Sequence, residues 1–246
     1  MNLLYYLQKP FSKNIIAARA FFVSNINFFL LLWLAWMLFP LFLSGFISDD
    51  AYNSQIQGIL LHSNISLFDR IVSEISYWLS RGRFNPLNWI FWYSYFYLLP
   101  SLLLFKFFAF FIIYLNLIYF EKILKFITQS GSLSYCVVFL LPILFQFRYW
   151  HDPFLAFASI PLACLLFFFS LYLLIRYIET AKTTYYWYHL LVFLISLLCY
   201  ELSYISPLFY FLIIYLKNKS LKKSFLLIAI PIALILLHFM IKGFFS

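Results

Sequence analysis

A chain of 246 residues that is 65% hydrophobic and 10% charged lies far from the about 25% charged and 45–50% apolar composition of a soluble domain. No core of that size hides so much apolar surface, so the composition excludes a soluble globular protein and indicates an integral membrane one. The net charge of +9 does not make nucleic acid a partner, because the basic residues are spread between apolar segments and form no stripe or arm.

Lys9, Lys13 and Arg19 precede the first apolar segment. That segment is too long for a signal-peptide core and no small-residue cleavage site follows, so it reads as an anchor that stays, with residues 1–27 cytoplasmic. A bilayer core takes about 20 apolar residues per helix. Seven segments qualify or nearly do: Phe28–Ile47, Leu98–Phe120, Leu133–Phe147, Phe154–Tyr177, Tyr186–Cys199, Leu202–Leu216 and Phe225–Ile241. The fifth and sixth are parted only near Tyr200–Glu201, and one bent span is the rival reading there. Charge separates the two. With seven spans and the N-terminus inside, the inner side collects Lys9, Lys13, Arg19, Lys122, Lys125, Arg176, Lys182, Lys217, Lys219, Lys222 and Lys223, 11 of the 17 basic residues. The outer side has Arg70, Arg81, Arg83, Arg148 and Lys242, and Lys106, within the second span, snorkels or pairs inside the bundle. This is the positive-inside pattern, and merging the fifth and sixth segments would put Lys217–Lys223 outside. The expected fold is an all-α polytopic transmembrane bundle of about seven spans, a single membrane domain over 1–246.

Carboxylates run the other way. Asp49, Asp50, Asp69, Glu74, Asp152 and Glu201 fall outside, and only Glu121 and Glu179 inside. The one long connection, residues 48–88, is also outside. In it Tyr52, Ile56, Ile59 and Leu60, and then Ile71, Val72, Ile75, Trp78 and Leu79, recur at helical spacing with polar opposite faces, which predicts two helices lying in the membrane interface. Trp89, Trp92, Tyr93, Tyr95 and Tyr97 predict an aromatic belt before the second span. Cys136, Cys164 and Cys199 fall in apolar stretches without metal-ligand spacing and read as small buried hydrophobes. His62, His189 and His238 show no ligand spacing and read as structural. Asn64-Ile65-Ser66 fits a glycosylation acceptor, a pattern short enough to arise by chance.

Asp49 and Asp50 stand where the chain leaves its first apolar segment. Capping a helix accounts for one carboxylate there. Two adjacent ones repel near a low-dielectric surface, so the second requires a functional explanation. Arg81 and Arg83 in "RGRFNP" carry a donor fork matched to phosphate, although an interfacial Arg also snorkels to headgroups. "FRYWHDPF" brings Arg148, His151 and Asp152 into a later outer turn, and "YELSY" brings Glu201 into another. Ionisable groups at that depth point to function.

On the Asp49-Asp50 pair after the first span, the "SRGRFNP" stretch, Asp152, and Glu201 in "CYELSYISP", the chain resembles the GT-C class of polytopic glycosyltransferases, which includes protein O-mannosyltransferases, the aminoarabinose transferase of lipid A and the oligosaccharyltransferases. The resemblance spans about residues 20 to 246. It departs from the class in ending after the seventh segment at "IKGFFS", as a truncated or minimal member would. It implies a sugar donor on a polyprenyl phosphate, held at the outer face of a plasma or inner membrane. Asp49 or Asp50 would be the catalytic base. Arg81, Arg83, Arg148, His151, Asp152 and Glu201 would bind substrate, with Asp152 orienting the acceptor or holding a divalent cation that no spacing here demands. The rival expectations are a transporter or flippase for a lipid-linked sugar, which would place polar groups near the midplane in paired halves, and a non-catalytic membrane assembly protein.

Overall fold

Only five glycines in the chain leave few places for the backbone to turn, and long runs of Leu, Phe and Ile carry helix between them. The computed structural model describes residues 21, 23–46, 49–144 and 159–245, and every element among them is helical. In chain order these are α1 (Ile26–Met37), α2 (Phe39–Leu43), α3 (Asp49–Asn53), α4 (Ile56–Ser63), α5 (Leu67–Leu79), α6 (Pro86–Leu98), α7 (Leu102–Thr128), α8 (Gly131–Leu140, running into a 3₁₀ turn Leu141–Leu144), α9 (Ser159–Thr180), α10 (Thr183–Cys199), a 3₁₀ turn Glu201–Ile205, α11 (Ser206–Asn218) and α12 (Leu221–Phe245).

Helices α7, α9 and α12, of 27, 22 and 25 residues, reach roughly 33–40 Å at ~1.5 Å per residue, enough to cross a hydrocarbon core of ~30 Å. These three are long and apolar enough to span a membrane. The other four expected spans coincide with helices that are shorter: α1 has 12 residues, α8 has 10, α10 has 17 and α11 has 13. The second expected segment is also displaced. Ser101 caps α7 by accepting from Leu104 N at 3.4 Å, so Leu98 belongs to α6 and α7 runs on to Thr128.

Helix α7 is central. On one side Phe110, Ile113 and Leu117 pack with Leu30 and Leu34 of α1 and Val138 of α8. On another it runs parallel to α9, Phe120 meeting Phe168 and Tyr119 meeting Tyr172. Helix α10 folds back on α9, and α12 on α11. The C-terminal ends of α7, α9 and α11 therefore share one end of the bundle with the starts of α8, α10 and α12, and the lysines gather there. The long loop occupies the other end. In it Ile56, Leu60 and Ile71 of α4 and α5 bury against Trp92, Tyr93 and Phe96 of α6, with Phe105 at the start of α7. The two apolar stripes are thus shared between a small core and the surface, where Tyr52 and Val72 remain exposed. Trp92 and Tyr93 are core residues, each 1% exposed, and not part of an aromatic belt: α6 has partners on both faces.

Directional bonds fix these helices where apolar contacts alone would let them slide. Trp33 Nε1 donates to Phe139 O at 2.8 Å, joining α1 to α8. Asn116 Nδ2 donates to Pro161 O at 2.9 Å, joining α7 to α9. Ser170 Oγ lies 2.8 Å from His189 Nδ1 and 2.9 Å from Tyr210 OH, tying α9, α10 and α11. Prolines sharpen the need. Pro40, Pro86 and Pro207 stand in the first turns of their helices, where a missing N–H costs nothing. Pro231 stands inside α12, and the carbonyl it would have served, four residues back, is that of Leu227. Tyr186 OH of α10 donates to this carbonyl at 2.8 Å.

Tyr186→Phe should therefore leave an unpartnered carbonyl and destabilise by about 1–3 kcal/mol, whereas in a Pro231→Ala background, with the helical bond restored, the same change should cost little. Thermal unfolding of the four proteins of this cycle in detergent tests it; equal losses in both backgrounds would refute the link between Pro231 and Tyr186.

Candidate functional site

The site is built where α5 stops. Gly82, at φ +75°, takes a left-handed conformation that costs glycine least. Its N–H donates to Leu79 O at 2.9 Å and that of Arg83 to Trp78 O at 2.9 Å, the paired closure of a Schellman turn. The reversal carries Arg83 and Phe84 back beside the helix end. The Arg83 guanidinium lies over the Trp78 ring, 5.4 Å from its centroid, and Trp78 stacks on Trp89 at 5.9 Å and 10°, so the cation rests on an aromatic platform.

Two later elements close on this turn. The 3₁₀ turn Glu201–Ile205 presents Glu201, whose Oε1 lies 4.0 Å from Arg83 Nε. It also presents Tyr204. Helix α12 presents His238 and, one turn on, Lys242. His238 Nε2 donates to Phe84 O at 2.8 Å, so its Nδ1 accepts, and Tyr204 OH donates to it at 3.0 Å. Lys242 Nζ donates to Tyr204 OH at 3.2 Å. Of the two neutral tautomers, only the one protonated at Nε2 satisfies both neighbours of His238. A relay thus runs from Lys242 through Tyr204 and His238 to the backbone at Phe84, next to the Arg83–Glu201 pair. Two cations face one carboxylate across it, an excess that suits an anion.

Of the substrate-binding residues expected from sequence, Arg83 and Glu201 are brought together. Arg81 stands apart, its guanidinium 4.2 Å from the Tyr77 centroid, in the manner of an Arg that reaches for headgroups. Arg148, His151 and Asp152 lie outside the described residues. Helix α3 begins at Asp49 and packs on α6; the side chains of Asp49 and Asp50 are outside the description. Sequence reasoning missed Tyr204, His238 and Lys242. The i, i+4 spacing of His238 and Lys242 in the last apolar segment was the available signal, because it puts both on one helical face.

At the start of α7 Lys106, 1% exposed, donates to Ser44 Oγ at 3.0 Å, a polar tie between α7 and the stretch before Asp49. In the loop Arg70 pairs with Glu74, donates to Tyr52 OH at 3.1 Å and lies 5.9 Å from the Tyr93 ring centroid. Among the described residues no group of three or more His, Cys, Asp and Glu is arranged to hold a metal ion. In comparisons with known proteins, no family model matches the chain, and no curated protein and no solved structure matches it.

Burial, and after it the Glu74 carboxylate, push the Tyr93 phenol above its ordinary range, with Arg70 opposing. Folding therefore holds the Tyr93 proton more tightly than the unfolded chain does. The resulting stabilisation is complete below the ordinary phenol value of about 10 and is lost as pH rises beyond it. The stability difference between the wild type and Tyr93→Phe should shrink from pH 9 upward in detergent; a difference constant to pH 11 would contradict this.

Proposed function

We propose that the chain is a multi-pass membrane glycosyltransferase that moves a sugar from a polyprenyl-phosphate donor to an acceptor hydroxyl at the loop end of the bundle. The observation that carries the reading is the meeting of Arg83 and Glu201, residues of two separate turns, beside a Lys242-Tyr204-His238 relay. A cationic cluster at the end of long apolar helices suits a substrate whose phosphate lies at the membrane boundary while its tail stays in lipid. The resemblance to GT-C enzymes gives the carboxylates their role. Asp49 or Asp50 takes the proton of the acceptor hydroxyl as its oxygen attacks the anomeric carbon; the bond from that carbon to the phosphate oxygen breaks, and the polyprenyl phosphate leaves with the electron pair. Arg83 binds the phosphate and stabilises the charge that develops on it. Glu201 keeps the guanidinium turned toward the site, and Lys242 adds a second positive charge.

In this reading the seven apolar segments all cross or enter the membrane, the shorter helices doing so within the bundle, and the lysine-bearing end is cytoplasmic. The resemblance also gives Arg148, His151 and Asp152 substrate-binding roles.

A pair 4.0 Å apart with Arg83 56% and Glu201 24% exposed contributes about 0–1 kcal/mol to stability. Arg83→Gln should therefore fold and yet transfer sugar roughly 10- to 100-fold less efficiently, the worth of a charge-assisted contact to phosphate. Asp49→Asn with Asp50→Asn, which can still cap α3, should lose about 10²–10⁴-fold as a general base does. The assay is sugar transfer from a labelled polyprenyl-phosphate donor in proteoliposomes. Wild-type rates in the double Asn variant would end the assignment of the base, and movement of the donor across the bilayer without transfer would favour a flippase. In a background without the native cysteines, Ser63→Cys should react with an impermeant thiol reagent added to intact cells and Thr183→Cys should not; the reverse pattern inverts the orientation.

A further inference from the structure

At the opposite end of the bundle a cleft of about 390 Å³ opens between the last turn of α9, the end of α11 and the first two turns of α12. Its lining is apolar at Ile178, Leu226 and Leu227, the exposed Leu226 standing at the mouth, and polar at Asn218 and Lys223. Compared with ~30 Å³ for one water, that volume has room for a phosphodiester headgroup and not merely a bare ion. Lys217, Lys219 and Lys222 flank or lie in the short connection from α11 to α12, while Glu179 at the end of α9 is taken by Arg176 at 3.2 Å. Helix ends explain only part of this charge. Lys217, in the last turn of α11, complements the negative end of that helix. Lys222 and Lys223 stand in the first turn of α12, which contains no acidic residue, where the positive end of the helix opposes them. Phe225 and Leu226 are 59% and 73% exposed, so the apolar wall runs outward from the cleft along α12.

We infer that this cleft binds the headgroup of an anionic phospholipid, its phosphate held by Lys223 in the lining with the charge of the adjacent Lys222 beside it, and an acyl chain laid along Leu226 on α12. Basic residues at a membrane boundary attract anionic lipid electrostatically, and here a concave apolar surface directly below the charge accommodates the tail. A free phosphate has no use for those walls, and an acidic peptide would leave the greasy flank of α12 uncovered. The inference does not depend on the sugar-transfer reading and holds if that reading fails.

The test uses the full chain purified in neutral detergent, with phosphatidylglycerol, phosphatidylcholine or inorganic phosphate added. Native mass spectrometry reads retained lipid and thermal unfolding reads stabilisation. Phosphatidylglycerol should be retained and should raise the unfolding temperature; phosphatidylcholine and inorganic phosphate should do neither. Lys222→Gln with Lys223→Gln should weaken retention roughly 10- to 30-fold. Lys122→Gln with Lys125→Gln, which removes the same charge from α7 away from the cleft, should not. Leu226→Trp, which fills the mouth and leaves every charge in place, should also release the lipid, and tests the cleft if the Lys222 and Lys223 changes disturb folding. Equal retention of both lipids, an equal effect of inorganic phosphate, or equal losses in the two double-lysine variants would overturn the assignment.

Discussion

The structure answers first to the needs of its own backbone. In apolar surroundings, a carbonyl or N–H with no partner costs several kcal/mol, and water is not at hand to help. Tyr186 of α10 serves the carbonyl set free by Pro231, and two other helices send a polar side chain to a neighbour's backbone: Trp33 reaches the carbonyl of Phe139 at the end of α8, and Asn116 reaches that of Pro161 in α9. These sparse polar residues do what apolar packing does poorly. Leu, Ile and Phe contacts are non-directional, whereas each of these bonds names one atom on one neighbour and so fixes the register of a helix pair.

The same requirement shapes the loop end. The turn at Gly82 satisfies the carbonyls of Trp78 and Leu79 through its own N–H groups, and the carbonyl of Phe84, just past the turn, is served by His238 from the far end of the chain. A bond that completes the backbone thus also holds together the residues with chemical potential. Arg83, Glu201, Tyr204 and Lys242 meet because a histidine on α12 must find an acceptor and a turn after α5 must find a donor. The cations gathered there and the lysines at the opposite end mark the two boundaries of the apolar bundle, each with its own reason for holding charge.

Much of the architecture was legible in the sequence. The apolar segments, the helical stripes at Ile56 and Ile71 and the helix start at Asp49 all follow from periodicity and from where carboxylates and glycines fall. Lengths were less legible. Periodicity does not reveal that Ser101 begins a new helix, so Leu98 was assigned to the wrong element, and hydropathy does not separate a 12-residue helix from a span. The aromatic residues before α7 read as a belt because composition does not say that α6 has partners on both faces. At the site, Arg83 and Glu201 carried a signal as charged residues in turns. Tyr204 carried none and His238 only its i, i+4 spacing to Lys242, because a tyrosine and a histidine within apolar sequence are usually buried for packing, and only the three-dimensional meeting of α12 with the Gly82 turn gives them partners.

A helix lined with leucines has almost nothing to determine its rotation about its own axis. For α12 that freedom is removed by one hydroxyl. Tyr186 grips the carbonyl of Leu227 at 2.8 Å, and His238 follows about three turns later, at ~3.6 residues per turn on nearly the same face. The bond near the lysines therefore acts as an index mark: it sets the azimuth of α12 from its first turns, and with it the direction in which His238 and Lys242 arrive at the other end. A single proline, by leaving one carbonyl without its usual donor, supplied the notch in which that mark is cut.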